Sequence, residues 1–202
     1  MDLEKINTEL RSKHPSEIIR WALSIAKKPI VTTNFSPYEA TILHAVSEQK
    51  KDISVIWCDS GYNTQSTYLH AKRTIEQLDL KIDLFVPQQT VAYRNVQLGI
   101  PEIDTQEHDV FTQQVKLEPF SRAMEKHTPD VWFTNLRKDQ TIFRSELDIV
   151  TEGNGIIKIA PFFYWTSEEL NGYLKEFKLE SEDKYYDPTK ALSNRECGLH
   201  TK

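Results

Sequence analysis

The chain has 202 residues, 39% of them hydrophobic and 27% charged, which suits one sizeable core in an ordinary soluble domain. Its 25 basic and 30 acidic side chains leave a net charge of −5, which argues against a general nucleic-acid binder but allows a local basic pocket. No apolar run is long enough to span a membrane, the opening MDLEKINTELRSKHPSE is not a secretion signal, and two cysteines cannot build a disulfide framework, a four-cysteine zinc site or an iron–sulfur cluster, so a reducing, cytoplasmic setting without metal is expected.

Strand-like and helix-like patterns alternate along the chain. SEIIRWALSIAKK (16–28) has the apolar spacing of a helix, and PIVTTNF (29–35) reads as the first strand. In SPYEATILHAVSEQ, Ser36 fits an N-cap, Pro37 the first helical position and Glu39 the partner of a capping box. ISVIWCD (53–59) is apolar enough for a buried parallel strand. TQSTYLHAKRTIEQL reads as a helix, IDLFVP as a strand, and 91–98 and 107–127 as further helical stretches. VWFTN (131–135) and GIIKIAPF (155–162) are the last strand candidates. A helix follows over 166–177, opened by a Thr166–Glu169 capping box. The alternation predicts an α/β fold, a mostly parallel sheet with helices on both faces. The domain is expected to occupy 1–179, and the polar segment 180–202 to form a tail or lid.

Ligands of such sheets bind beyond the carboxyl ends of the strands. There the sequence places Thr32, Thr33, Asn34 and Ser36, then Asp59 and Gly61, then Arg137, Lys138 and Arg144. Small polar side chains at a helix start and cationic donors together suit an anion. Singly, each has a plainer reading: caps for the first group, a turn residue for Asp59, a solvated loop for Arg137 and Lys138. Cys58 falls inside an apolar run and is read as an inert buried thiol. Cys197 sits in the polar tail between Glu196 and Gly198, where packing does not need it. Arg195 and His200 would favour its thiolate, and the plainer alternative is an incidental surface cysteine.

Several segments resemble the phosphoadenylyl-sulfate (PAPS) reductases. RECGLH at the tail is similar to that family's C-terminal cysteine motif. CDSGY, LRKDQTIFR, KLEPFSRAM and IIKIAPFFYWTSEEL resemble further family segments, and TTNFSPYEA stands in the place of its modified PP-loop. The resemblance runs from about residue 18 to residue 200. It implies an adenine-nucleotide α-hydrolase-like fold and reduction of PAPS to sulfite and adenosine 3′,5′-bisphosphate. Cys197 would be the nucleophile and carry an S-sulfocysteine, with His200 and Arg195 orienting the closed tail. Reduced thioredoxin or glutaredoxin would release the sulfite. Thr32, Thr33, Asn34 and Ser36 would line the nucleotide loop, Asp59 and Gly61 border the adenosine, and Lys116, Arg137, Lys138 and Arg144 hold phosphate and sulfate oxygens. A homodimer without metal is implied. Ser36 replaces a glycine of the family loop, and the stretch before the tail is shorter, with Thr189 and Lys190 as the remnant of a basic segment. Three alternatives stay open: a nucleotide-binding protein without reductase activity, a sulfotransferase-like or nucleotide-hydrolysing enzyme of the wider PP-loop group that would not need Cys197, and a reductase of adenylyl sulfate (APS), which lacks the 3′-phosphate.

Overall fold

The apolar, β-branched runs form the centre of one sheet. In the computed structural model, which describes residues 1–190, they are β1 (Pro29–Thr33), β2 (Ser54–Cys58), β3 (Ile82–Phe85) and β4 (Val131–Phe133). With β5 (Val150–Gly153) and β6 (Ile156–Ile159) they make a six-stranded sheet in the order β3-β2-β1-β4-β6-β5. Every neighbouring pair is parallel except β5 with β6.

The period-two alternation of the strands sorts side chains to two faces. Val31, Val55, Val131, Phe133 and Ile159 pack on one side against α2 (Pro15–Ile25), α3 (Glu39–Gln49) and α9 (Ser167–Glu176), through Ile18, Ile19, Ile42, Leu43, Val46 and Leu170. Ala71 of α4 (Gln65–Leu78) joins that core. Ile30, Ile56, Phe85 and Trp132 point the other way, under Phe120, Ala123 and Met124 of α7 (Glu118–His127). Each fully buried Ile, Leu or Phe adds roughly 1.5–3 kcal/mol, so these two layers supply most of the driving force. The expected parallel sheet with helices on both faces is what forms.

Three elements depart from expectation. The polar stretch LEKINTEL is a helix, α1 (Leu3–Leu10), and its Asn7 is buried against β5. Asn7 Nδ2 donates to the Val150 carbonyl at 2.9 Å, and the Val150 N–H donates to Asn7 Oδ1 at 2.8 Å. β5 pairs with β6 through a turn at Asn154 and Gly155, both left-handed with φ of 53° and 73°. Asn-Gly is the strongest short hairpin signal, and it was present in the sequence. The helix expected over 107–127 is α6 (Gln106–Thr112), a π-helical turn Gln113–Leu117, and α7 with Pro119 in its first turn. A proline there has no N–H to donate to the preceding turn, which suits a change of helical pitch at that point.

The start of α3 is also different. Ser36 does not cap it. The residue before the helix is Tyr38, left-handed at φ 67°, with no side-chain cap. Phe35 is left-handed too, at φ 53°, so the chain makes two reversals between β1 and α3. Pro37 is therefore outside the helix, and Glu39 is released from any capping duty.

Candidate active site

β1 runs towards β2 on one side and β4 lies on the other, so the connections leave in opposite directions between β1 and β4. This is the topological switch point at which open α/β sheets form their ligand crevice. A crevice of about 140 Å³ lies there, lined by the ends of β1 and β4 and by the segments over them.

Its floor is the β1–α3 loop. Thr33 Oγ1 accepts from the Phe35 N–H at 3.0 Å, and Asn34 Oδ1 accepts from the Ser36 N–H at 3.1 Å. These two side-chain turns fix the left-handed path without glycine. Trp132 Nε1 donates to Thr32 Oγ1 at 2.9 Å, tying β4 to the floor. The charged wall comes from Lys116 on the π-helical turn, Arg144 on α8 (Ile142–Ser145), and Lys190. Arg144 is 5% exposed and bonds Gln140 Oε1, which also accepts from the Arg137 N–H at 3.0 Å.

A strap of residues 180–190 packs along the crevice, touching Asn34 and Lys116 of its wall. Arg73 Nε holds Glu180 at 2.8 Å, and Ser66 Oγ donates to the buried Glu182 at 3.2 Å. Asn34 Nδ2 donates to Tyr185 Oη at 2.8 Å, and His108 Nε2 lies 3.1 Å from the Pro188 carbonyl. Lys116 pairs with Asp187 and donates to Thr189 Oγ1 at 3.2 Å. Burial opposes the Asp187 charge, but Lys116 and the Thr189 hydroxyl and N–H outweigh it and hold the carboxyl below its ordinary range.

Of the residues singled out in the sequence, Thr32, Thr33, Asn34, Ser36, Lys116 and Arg144 come together in the crevice wall. Asp59 and Gly61 do not line it. The Asp59 carboxylate is buried and accepts from the Gly61 N–H at 2.9 Å, Asn63 Nδ2 at 2.8 Å and the Tyr68 hydroxyl at 3.0 Å, which makes it the knot of its own loop. Arg137 is buried beside the crevice, stacked 5.0 Å from the Tyr38 ring and bonded to Asp139 at 3.1 Å. Lys138 is exposed and turns away, 5.4 Å from the Tyr164 ring. Cys197, His200 and Arg195 lie outside the described residues.

Cys58, read as an inert buried thiol, packs against the core layer under α7 and also touches the crevice wall. Burial pushes its thiol up to about 12, with Lys116 and Arg122 pulling the other way, so it is no nucleophile at neutral pH. Sequence reasoning missed Glu39 and Lys190 as wall residues. Glu39 was taken for a capping partner, and Lys190 carried only the weak signal of a basic residue in a shortened tail. Among the described residues, no group of three or more His, Cys, Asp or Glu side chains is placed to hold a metal ion, and no helix is long and apolar enough to cross a membrane.

The phosphoadenosine phosphosulfate reductase domain family matches residues 28–186. The chain belongs to this family. A phosphoadenosine 5′-phosphosulfate reductase of Aliivibrio salmonicida is 33% identical over 178 residues, 86% of this chain and 70% of that protein. In fold the chain is similar to a crystal structure of the PAPS reductase of Candida auris in a phosphate complex. The TM-score is 0.77 and the identity 22%, over 89% of this chain and 87% of that one. An NH3-dependent NAD synthetase of Campylobacter jejuni has the same core more distantly, with a TM-score of 0.55 and 11% identity over 89% and 75% of the two chains. The family read from RECGLH, LRKDQTIFR and KLEPFSRAM is therefore borne out, and so is the nucleotide-binding α/β fold.

Proposed function

We propose that this family member reduces PAPS to sulfite and adenosine 3′,5′-bisphosphate with Cys197 as nucleophile. The observation that carries the reading is the crevice at the β1–β4 switch point. Thr32, Thr33, Asn34 and Ser36 line it together with the cations Lys116, Arg144 and Lys190, a set of groups suited to phosphate and sulfate oxygens. At about 140 Å³ it holds an oxyanion group, short of the roughly 300–1,000 Å³ of a pocket for a whole small molecule. Nucleotide entry therefore calls for the strap over Lys116 to lift, and segment 180–202 serves as the lid that carries the thiol.

In the reaction, the Cys197 thiolate attacks the sulfur of the sulfonate group. The S–O bond to the phosphate breaks, and adenosine 3′,5′-bisphosphate leaves with the electron pair. Arg195 and His200 orient the closed tail, and Lys116 and Arg144 of the crevice wall hold the phosphate and sulfate oxygens. Asp59 and Gly61 shape the loop that borders the adenosine. The S-sulfocysteine is then cleaved by an outside dithiol, thioredoxin or glutaredoxin. Sulfite leaves, the thiol of Cys197 is restored, and the donor is oxidised to a disulfide. The same reading gives a cytoplasmic homodimer that needs no metal.

Intact mass after mixing with PAPS, without a reductant, tests this. Wild-type protein should gain one SO3 group and lose it on adding reduced thioredoxin, and Cys197→Ser should gain none. Nucleotide binding without an adduct would overturn the reductase reading in favour of a binding protein. An adduct formed from APS as readily as from PAPS would remove the 3′-phosphate from the proposal.

A further inference from the structure

Glu39 is the one acidic side chain in the crevice wall among the described residues, and it stands where an anion is to bind. From the first turn of α3 it reaches the side chains of Thr33 and Asn135. Asn135 is oriented by the Tyr38 carbonyl, to which its Nδ2 donates at 3.0 Å. That bond fixes which end of the amide is nitrogen. The other end, Oδ1, is buried and has no donor among the described residues. A carboxylate cannot supply one, because it only accepts; a neutral carboxylic acid can. Burial pushes Glu39 up to about 7, against the hydrogen bonds of Thr33 and Asn135 and the charges of Lys190 and Arg144.

We infer that Glu39 is a specificity-determining residue of the crevice: it takes up a proton as a doubly charged oxyanion enters, and its O–H then turns to Asn135 Oδ1, so that no carboxylate faces the ligand. This rests on the crevice being the oxyanion site. An anion placed beside Glu39 disfavours the carboxylate further, so binding and protonation reinforce each other. The other groups that face Glu39 leave it the centre of this linkage. Lys116, Arg144 and Lys190 are the cations of the wall. Cys58 stays a neutral thiol, and Asp187, behind Lys116, stays ionised. The device admits dianionic phosphate and sulfate groups in their neutral-pH form and weakens their hold as the solution becomes alkaline.

Inorganic sulfate is the probe, because it carries two charges throughout the range and adds no titration of its own. Its affinity is measured by calorimetry from pH 6 to pH 9, in buffers of different ionisation enthalpy that report proton uptake. Wild-type protein should take up about one proton per sulfate above pH 7, with affinity falling towards tenfold per pH unit. Glu39→Gln should bind with a flat profile at the wild-type strength of pH 6. Sulfate binding by the wild type with no proton uptake overturns the role of Glu39 and leaves the crevice reading standing, whether or not the variant folds. A slope that persists in Glu39→Gln overturns it as well. No sulfate binding at pH 6 removes the crevice as the oxyanion site, and this inference with it.

Discussion

Lys116 is held by two groups of the same strap, the Asp187 carboxylate and the Thr189 hydroxyl at 3.2 Å, with the lysine and aspartate side chains only 12% and 7% exposed. The carboxylate thus occupies a cation that also lines the oxyanion crevice. Asp187→Asn should release it. The expected result is sulfate affinity about tenfold higher, together with a loss of about 3 kcal/mol in stability, since one partner of a buried pair is removed. Asp187 is held below the ordinary carboxylate range, so its stabilisation is present above the unfolded value and is lost as the pH falls through the folded one. Acid unfolding curves of wild type and variant should therefore converge at low pH. Unchanged sulfate binding in the variant would show that the strap does not compete with ligand.

Glu39 gives the opposite sign. Its folded carboxyl titrates near 7 against an ordinary 4.5, so the folded chain binds the extra proton between those values. Stability falls as the pH rises through that window and is level above it. Glu39→Gln should match wild type near pH 4 and exceed it at pH 8 by on the order of 2 kcal/mol. Denaturant titrations at the two pH values check this, and equal differences at both would refute it.

Gly61 sits at φ +80°, and a Cβ there would lie 2.6 Å from Val91 Cγ2 of the helix α5 (Val91–Gln97). Gly61→Ala combines backbone strain with a clash against a helix. We expect a loss of about 1–3 kcal/mol and a raised KM for the nucleotide, read by thermal unfolding and steady-state kinetics.

Arg94 of α5 is 2% exposed. Its Nη2 donates to the Gln89 carbonyl at 3.1 Å, while Nε and Nη1 have no hydrogen-bond partner among the described residues and the guanidinium lies 6.0 Å from the Tyr62 ring. A buried cation without a counter-ion is expensive, and an apolar chain of similar length removes that cost. Arg94→Met should be neutral or more stable by up to about 2 kcal/mol in equilibrium unfolding. A loss of that size would mean the guanidinium is stabilising where it lies.

The central strands were legible in the sequence because PIVTT, SVIWC and VWF must be buried on both faces and carry the apolar runs that burial requires. The crevice was legible as far as its chemistry follows chain order: Thr32 to Ser36, Lys116 and Arg144 stand at strand ends or in quoted family segments. β5 was not, because VTEG is short and polar and only its Asn-Gly turn marked it. Glu39 was misread because Ser-Pro-x-Glu satisfies the capping pattern, and two left-handed residues, Phe35 and Tyr38, moved the helix start past it. Lys138 and Arg137 are adjacent in sequence but leave the loop in different directions, which spacing alone does not reveal. Asp59 had even claims as turn residue and ligand contact, and in the fold its oxygens are taken up by Gly61, Asn63 and Tyr68.

The pair of hydrogen bonds between Asn7 and Val150 has a consequence for how copies of this chain meet. β5 is one of the two edge strands, β3 being the other, and an edge strand offers backbone donors and acceptors to any extended segment that drifts past. The Asn7 amide carries one donor and one acceptor at the spacing of a peptide group, and it answers both backbone groups of Val150. A single side chain thereby counterfeits the next strand and ends the ladder. The helix around Asn7 adds bulk where a further strand would lie, so at this edge one amide, and not a further strand, closes the ladder.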